Sequence, residues 1–323
     1  MRNCAIIHPL HLELETALRQ SNRMKILTVI VAYNRCALLS RCLDYLQLQA
    51  RLPDCIVVIN NGSTDHTEAM LRDRGIRCIT QENVGAAGGW HRGIQCALDE
   101  GFDAVWLMDD DGFPDQFSLE QLVAELVPGV ACVSSAVLCE NDRKRLVFPL
   151  PRLNARELPV IFSVRRKLFT LDEVMSQATG SLYPYTHFFN GALISIDAIK
   201  QVGNVDRDFF IFGEELDYLY RLRSVGAVYT VMSAHHYHPD VCGRPLSDAK
   251  VYYYIKNTLI LNRRYFDWVP VRNVLTVAAA LGRTARRNGW LEALAYLVGR
   301  NRTIFWTAIG RGLRGRVAKD FHG

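Results

Sequence analysis

Four short apolar runs recur within the first 110 positions, and helical stretches separate them: Ile26–Ala32 and residues 55–59, 76–80 and 104–108. Their apolar character is continuous rather than alternating, which marks strands covered on both faces. Residues 37–49 between the first two carry Leu38, Leu39, Cys42, Leu43 and Leu46 at helical spacing. Residues 60–65 form a polar turn in which Ser63, Thr64 or Asp65 can cap a helix running to Arg74. Asn83-Val-Gly-Ala-Ala-Gly-Gly opens a third helix, through Ile94 and Ala97. A strand–helix repeat of this kind predicts an α/β fold: a mostly parallel twisted sheet with flanking helices.

In such sheets ligands gather outside the carboxyl ends of the strands. Three of the runs end in polar residues there: Tyr33-Asn34, Asn60-Asn61 and Asp109-Asp110-Asp111-Gly112. Three carboxylates at the end of a buried strand must be neutralised, because unpaired buried charge is too costly to keep. Asp109 and Asp111, two apart in an extended chain, face the same side. Hard oxygen donors suit a divalent cation that grips a phosphate group. A solvated acidic turn also suits Asp-Asp-Gly, but convergence with the other two polar strand ends favours a site.

The chain continues with a helix at residues 119–126 and a strand at 130–138. Residues 140–180 read as a loop-rich insertion able to shape a second substrate site. Residues 187–196 are apolar and read as a strand. Glu214-Glu215-Leu216-Asp217 then opens a helix. Acids in a first turn favour the helix dipole, yet this cluster exceeds what capping needs and offers a catalytic carboxylate. A strand at 228–232 ends in His235, His236 and His238, three histidines in four residues, which suits metal or phosphate contact.

From residue 251 the pattern is helical, with further helices at 272–286 and 290–308. The net charge of +5 is unevenly held: residues 271–323 carry +8 and the rest −3. Residues 302–314 interleave arginine with Trp, Phe, Ile and Leu, as in a basic helix lying on an anionic membrane surface. A solvated face on an ordinary packing helix gives the same pattern. No helix-turn-helix, zinc or RNP pattern accompanies the charge, so nucleic acid is not an expected partner. No run of 18 apolar residues predicts a spanning helix. Residues 1–23 lack the order of a signal peptide and read as a loosely attached extension. Nine scattered cysteines without a Cys-x-x-Cys pair read as reduced thiols in a cytoplasmic protein.

Six segments in order carry a resemblance: Thr28-Val-Ile-Val-Ala-Tyr-Asn-Arg35, Val58-Ile-Asn-Asn-Gly-Ser-Thr-Asp65, the stretch from Asn83 to Gly93, Asp109-Asp-Asp, Phe189-Asn-Gly, and Phe210-Ile-Phe-Gly-Glu-Glu-Leu-Asp217. Over about residues 25–265 the chain resembles the family 2 glycosyltransferases with a GT-A fold. It is most similar to the bacterial branch of galactofuranosyl- and rhamnosyltransferases. The block ending in Trp90 is similar to the Asn-(Leu/Val)-Gly-Gly-Ala-Gly-Gly-aromatic stretch of galactofuranosyltransferases.

The resemblance implies a GT-A domain over residues 24–250, with a nucleotide-binding half at 24–138 and an acceptor half at 139–250. A basic helical C-terminal region at 251–323 follows. It implies that Ala32, Tyr33, Asn34 and Arg35 edge the nucleotide, together with Asn60, Asn61, Asp65, Asn83, Gly88, Gly89, Trp90 and Arg92. Asn60 stands where many relatives have an aspartate that contacts the base, so uridine and thymidine both stay open. Asp109 and Asp111, with Asp110 beside them and His238 as a later ligand, would hold Mn²⁺ or Mg²⁺ against the donor's diphosphate; His235 and His236 fit that role less well. Glu215 occupies the position of the catalytic base, and Glu214 or Asp217 could share or take over that role.

The implied activity is an inverting transfer from a sugar-nucleotide donor, UDP-galactofuranose being favoured. The acceptor would be a saccharide or a polyprenyl-diphosphate-linked saccharide, in O-antigen-like polysaccharide synthesis at the inner face of the cytoplasmic membrane. A dTDP-rhamnose-dependent transferase is the alternative within the family. A non-catalytic sugar-nucleotide-binding or scaffold protein is the alternative from another class. A dehydrogenase would need Gly-x-Gly-x-x-Gly at the first strand–helix turn, which Ala-Tyr-Asn-Arg is not.

Overall fold

The computed structural model describes residues 24–241 and 243–321. The expected extension at residues 1–23 lies outside the described residues. One sheet organises the molecule. Strands β1 (Ile26–Ala32), β2 (Cys55–Asn60), β3 (Arg77–Thr80) and β4 (Ala104–Asp109) lie parallel in the order β3-β2-β1-β4. Every residue of β1 is buried. Its alternate side chains enter different layers: Leu27, Val29 and Val31 on one face, Ile26 and Ile30 on the other.

Helix α1 (Cys36–Gln47) covers the second face through Leu39, Cys42, Leu43 and Leu46. After α2 (Thr67–Asp73), helix α3 (Gly85–Asp99) covers the first face through Trp90, Ile94 and Ala97. The glycines of α3 have a packing reason. A Cβ on Gly89 would stand 2.6 Å from Val31 Cγ1, and one on Gly93 2.1 Å from Val29 Cγ1, so the helix can lie this close to β1 only without them.

Beyond β4 the sheet continues through β10 (Asn190–Ser195), β6 (Val130–Cys139), β11 (Ala227–His238) and the two-residue β5 (Phe113–Pro114). β10 is antiparallel to both β4 and β6, while β11 is parallel to β6. The carboxyl ends of β4, β6 and β11 therefore share one edge with the start of β10. Helices α4 (Ser118–Glu125), α6 (Ile196–Val202) and α7 (Glu214–Arg223) flank this half.

Three local expectations need refinement. Residues 140–180 are loop-rich but not without order: β7 (Asp142–Pro151) forms a hairpin with β6, β8 (Lys167–Thr170) pairs with β7, and α5 (Leu171–Met175) follows. The charged residues of that stretch sit on an edge ladder whose apolar positions are spaced irregularly, which hides it from a pattern search. β9 (Leu182–Tyr183) adds a short pair to β11. β11 does not end at residue 232 but runs on through the histidines, with its register shifting between Val231 and His235. The single helix expected at 290–308 is two helices, α10 (Trp290–Leu297) and α11 (Arg302–Arg314), broken around Gly299, where a Cβ would come within 2.8 Å of the Ala295 backbone.

The C-terminal helices begin with α8 (Asp248–Tyr265), whose Ser247 cap accepts from the Lys250 amide, and α9 (Val269–Asn288). α11 buries Phe305 and Ala308 in a cluster with Tyr252, Tyr253 and Leu259 of α8. Seven cysteines among the described residues are unpaired. Among the described residues no helix is long and apolar enough to cross a membrane.

Candidate active site

Register brings the three polar strand ends level. Ala32 pairs with Asn60 across β1–β2, and Val31 pairs with Asp109 across β1–β4. Beside them the Tyr33 amide donates to Asp110 Oδ2 at 3.0 Å, and Arg35 Nη1 stands 2.8 Å from Asp110 Oδ1 and 2.9 Å from Asp111 Oδ2. Asp110 is thus the anchor that ties the end of β1 to the end of β4. Burial raises its pKa despite Arg35 and the Tyr33 amide. Arg41 of α1 adds a bond from Nη2 to the Asp111 carbonyl at 3.2 Å.

Asp111 has a different environment. His238 Nε2 lies 2.9 Å from its Oδ1, and Arg244 Nη1 3.6 Å from its Oδ2. Burial opposes its charge, but the His238 contact and the two arginines outweigh burial and pull its pKa down to about 2. Asp109 goes the other way. Desolvation, then the charges of Asp111, Asp110 and Glu215, push it well above the usual carboxylate range, with only Arg35 opposing. Glu215, on α7, is therefore near enough for its charge to weigh on Asp109.

His236 and His238 share one face of β11, and both are buried. The His236 ring lies under Gly112, where a Cβ would stand 2.2 Å from its Nε2, so Asp-Asp-Asp-Gly needs its glycine to cross the ring. Burial, then His238, pull the His236 pKa down to about 3, and the ring is neutral. His235 points to the opposite face, with Nε2 3.1 Å from the Met232 carbonyl. His238 alone of the three reaches the aspartates.

Among the described residues no group of three or more His, Cys, Asp or Glu side chains is assembled for a metal ion. Asp111 and His238 instead close directly on each other. Their geometry still fits a cation. His238 Nδ1 is 2.7 Å from the Pro239 carbonyl, an acceptor, so Nδ1 carries a proton. Nε2 then faces a carboxylate oxygen, also an acceptor, and only a proton or a metal ion can lie between them. This is the usual arrangement of a ligating histidine whose far nitrogen is held by a carbonyl.

The acidic helix separates its three candidates. Asp217 is buried and saturated: Oδ2 meets Arg221 Nε at 2.8 Å, and Oδ1 meets Arg264 Nη1 at 2.9 Å and the Tyr265 hydroxyl at 2.7 Å. It fastens α7 to α8, and both its oxygens are engaged, which sets it apart from an open catalytic carboxylate. Glu214 is 4% exposed, and burial, then Glu215, raise its pKa to about 8. Glu215 has a side chain 38% exposed, with His187 Nδ1 3.9 Å from Oε2. The loop before α7 is held by Asn257 of α8, whose Nδ2 reaches the carbonyls of Phe209, Ile211 and Phe212 at 3.1, 3.0 and 2.6 Å.

Several of the residues expected to edge the nucleotide also have structural partners. Trp90 is fully buried and stacks on Phe189 at 4.4 Å, and Gly88 and Gly89 are buried against Val84 and Val31. Asn61 ties β2 to α3 through bonds to the Gly85 carbonyl and from Gln81. Asn60 accepts from the Ser63 amide, Asn83 from Gly85, Asn34 from Thr64, and Asp65 from Cys36 and Thr67. Arg92 is exposed on α3 near Cys96. Tyr33, 47% exposed, and Arg35 stand at the open edge beside the buried Ala32. Arg41, His187, Arg244 and Lys250 were not foreseen. Arg244 and Lys250 lie on the loop and helix that follow His238, where no periodic signal marks them.

Solved structures share this architecture. GalNAc-T7, crystallised with UDP, GalNAc and Mn²⁺, superposes with a TM-score of 0.59 at 13% identity, over 91% of this chain and 58% of that one. The mannosyltransferase PcManGT from Pyrobaculum calidifontis, in complex with GDP-Man and Mn²⁺, gives 0.51 at 15% identity, over 94% and 92%. The fold is GT-A. The family model for glycosyl transferase family 2 matches residues 28–185. Galactofuranosyltransferase GlfT1 of Mycolicibacterium smegmatis is 32% identical over 222 residues, covering 67% of this chain and 70% of that protein. The chain belongs to glycosyltransferase family 2.

Proposed function

We propose that the protein is an inverting glycosyltransferase that moves galactofuranose from UDP-galactofuranose to a hydroxyl of a saccharide or polyprenyl-diphosphate-linked acceptor, in bacterial cell-surface polysaccharide synthesis. The observation that carries this reading is one open carboxylate, Glu215, close enough to the three strand-end aspartates for its charge to weigh on Asp109. The similarity to a galactofuranosyltransferase over 222 residues favours that donor over dTDP-rhamnose.

Tyr33, with Ala32 and Arg35 beside it, would edge the base and ribose. Arg35 and Arg244, now paired with Asp111, would turn to the diphosphate, and Lys250 lies near enough to both to feel their charge. Glu215 takes the proton of the acceptor hydroxyl as its oxygen attacks the anomeric carbon. The bond from that carbon to the diphosphate breaks, its electron pair leaves with the nucleoside diphosphate, and configuration inverts. Glu214, protonated and buried behind Glu215, adds no second negative charge at neutral pH. Asp109, Asp111 and His238 would hold Mn²⁺ or Mg²⁺, and the ion would supply positive charge against the leaving diphosphate.

A membrane surface is the second partner. α11 spends its apolar face on α8, where Gly312 approaches the Lys256 carbonyl and Leu259. The face left bare belongs mainly to α10: Trp290 and Leu291 are 81% and 83% exposed, Leu294 and Val298 are exposed beside them, and Arg300 and Arg302 follow. Exposed tryptophan and leucine next to arginine suit the interface of an anionic bilayer, on the cytoplasmic face where the donor would be found.

Hydrolysis of UDP-galactofuranose, UDP-galactose, dTDP-rhamnose and UDP-glucose tests the reading. The first should turn over fastest, and Glu215→Gln should abolish turnover while UDP affinity stays. Preference for dTDP-rhamnose would replace the donor. Nucleotide binding without turnover of any donor would leave a binding protein.

A further inference from the structure

We propose that His187 is a positioning residue that holds the Glu215 carboxylate through Nδ1–H, and that an internal water shared with Ser135 fixes it in that tautomer. This rests on the reading of Glu215 as the base.

His187 lies just before β10, where its carbonyl accepts from Ser134 Oγ at 2.9 Å. Its ring is walled by Phe148 of β7 at 5.5 Å and by Tyr185 at 6.0 Å. Phe148 also meets the His238 ring at 5.3 Å, so the β6–β7 hairpin roofs both histidines. The backbone and both walls fix the ring plane. Nδ1 is turned toward Glu215 Oε2 at 3.9 Å, and among the described residues no other ion pair involves Glu215. That spacing exceeds a hydrogen bond, but such contacts in a ligand-free enzyme commonly tighten when substrate arrives.

The other side of the ring determines which nitrogen carries the proton. His187 Nε2 and Ser135 Oγ are both buried without a partner, and Ser135, His187 and Thr230 line one cavity of about 10 Å³; His236 Nδ1, also unpartnered, lies on the Gly191 side of Ser135 Oγ. Thr230 Oγ1 is already committed to the Tyr185 carbonyl at 2.6 Å. Two orphaned polar side chains lining one cavity call for a third polar group, and the space is close to what one water needs. A water that donates to Nε2 leaves Nδ1 protonated, which aims the imidazole N–H at the carboxylate. The carboxylate is then held by a donor that does not compete for the acceptor's proton.

The test uses two isosteres of opposite geometry. The amide nitrogen of asparagine falls near the position of Nδ1, and that of glutamine near Nε2. His187→Gln should lower kcat about tenfold or more, the loss of one hydrogen bond to a charged group, with the KM for donor unchanged. His187→Asn should keep most of kcat. Ser135→Ala, which removes the water's partner and touches no substrate, should lower kcat several-fold, again without moving donor KM. Equal losses in the asparagine and glutamine variants would overturn the proposal, as would full kcat in both the Ser135→Ala and His187→Gln proteins. Should the His187 variants fail to fold, the Ser135→Ala result decides alone. Glu215→Gln, measured alongside, separates this failure from that of the base: turnover retained there would overturn the base whatever His187 does.

Discussion

His238 Nε2 lies 2.9 Å from Asp111 Oδ1 while its Nδ1 lies 2.7 Å from the Pro239 carbonyl, so one imidazole is pressed between two acceptors. Two facing acceptors of this kind call for a proton or a metal ion between them. A divalent ion entering between the two acceptors must displace a proton there, and burial and the neighbouring carboxylates raise the proton affinity of Asp109 as well. Mn²⁺ binding should therefore release protons, and its calorimetric heat should change with the ionisation enthalpy of the buffer. Asp111→Ala and His238→Ala should each weaken Mn²⁺-dependent UDP binding at least about tenfold. Buffer-independent heats, or unchanged affinity in both variants, would remove the metal from the site.

Glu214 links stability to pH. Its folded pKa, near 8, lies above the usual 4.5 of a glutamate, so its contribution is fully present below about pH 4.5. It is lost as pH rises towards 8, with a slope of up to about 1.4 kcal/mol per pH unit for one proton. Asp111 acts oppositely: its pKa of about 2 gives stability that is present above pH 4 and lost as the pH falls towards 2. Glu214→Gln should flatten the decline of urea stability between pH 5 and 8, and an unchanged decline would show that Glu214 is charged when folded.

Asn257 joins the C-terminal helices to the catalytic loop. One amide group holds three carbonyls of a segment in which Phe210, Phe212 and Gly213 all have positive φ, at 64°, 59° and 101°. Non-glycine residues persist there only when their surroundings hold them. Asn257→Ala should cost about 1–3 kcal/mol in chemical denaturation and lower kcat more than it raises donor KM, because Glu214 and Glu215 follow directly. A kcat equal to wild type would mean that α7 is positioned without the clamp.

The α10 face should govern membrane attachment. Replacing Trp290, Leu291 and Leu294 together by serine should abolish flotation with anionic liposomes. Folding stability should stay within about 0.5 kcal/mol per exposed position. Undiminished flotation would move the contact to another surface.

In the first 110 residues the strand–helix order, the two layers that cover β1 and the placing of Asp109–Asp111 at a strand's carboxyl end were all written in the sequence. Each of these depends on local periodicity and on the rule that parallel sheets bind at that edge. The family was legible too, because its motifs are contiguous segments of chain. What each polar residue does was not. Asp109, Asp110 and Asp111 are identical in sequence, yet Asp110 anchors Tyr33 and Arg35, Asp111 faces His238, and Asp109 is crowded by three like charges with Arg35 opposing. Asp217 resembles a catalytic acid until Arg221, Arg264 and Tyr265 are seen to occupy both its oxygens. Trp90 reads as part of a binding motif, but α3 turns it into the core. Protonation, partnering and burial depend on neighbours brought in from distant segments, Arg244 and Asn257 among them, and only the tertiary structure assembles those neighbours around the three aspartates.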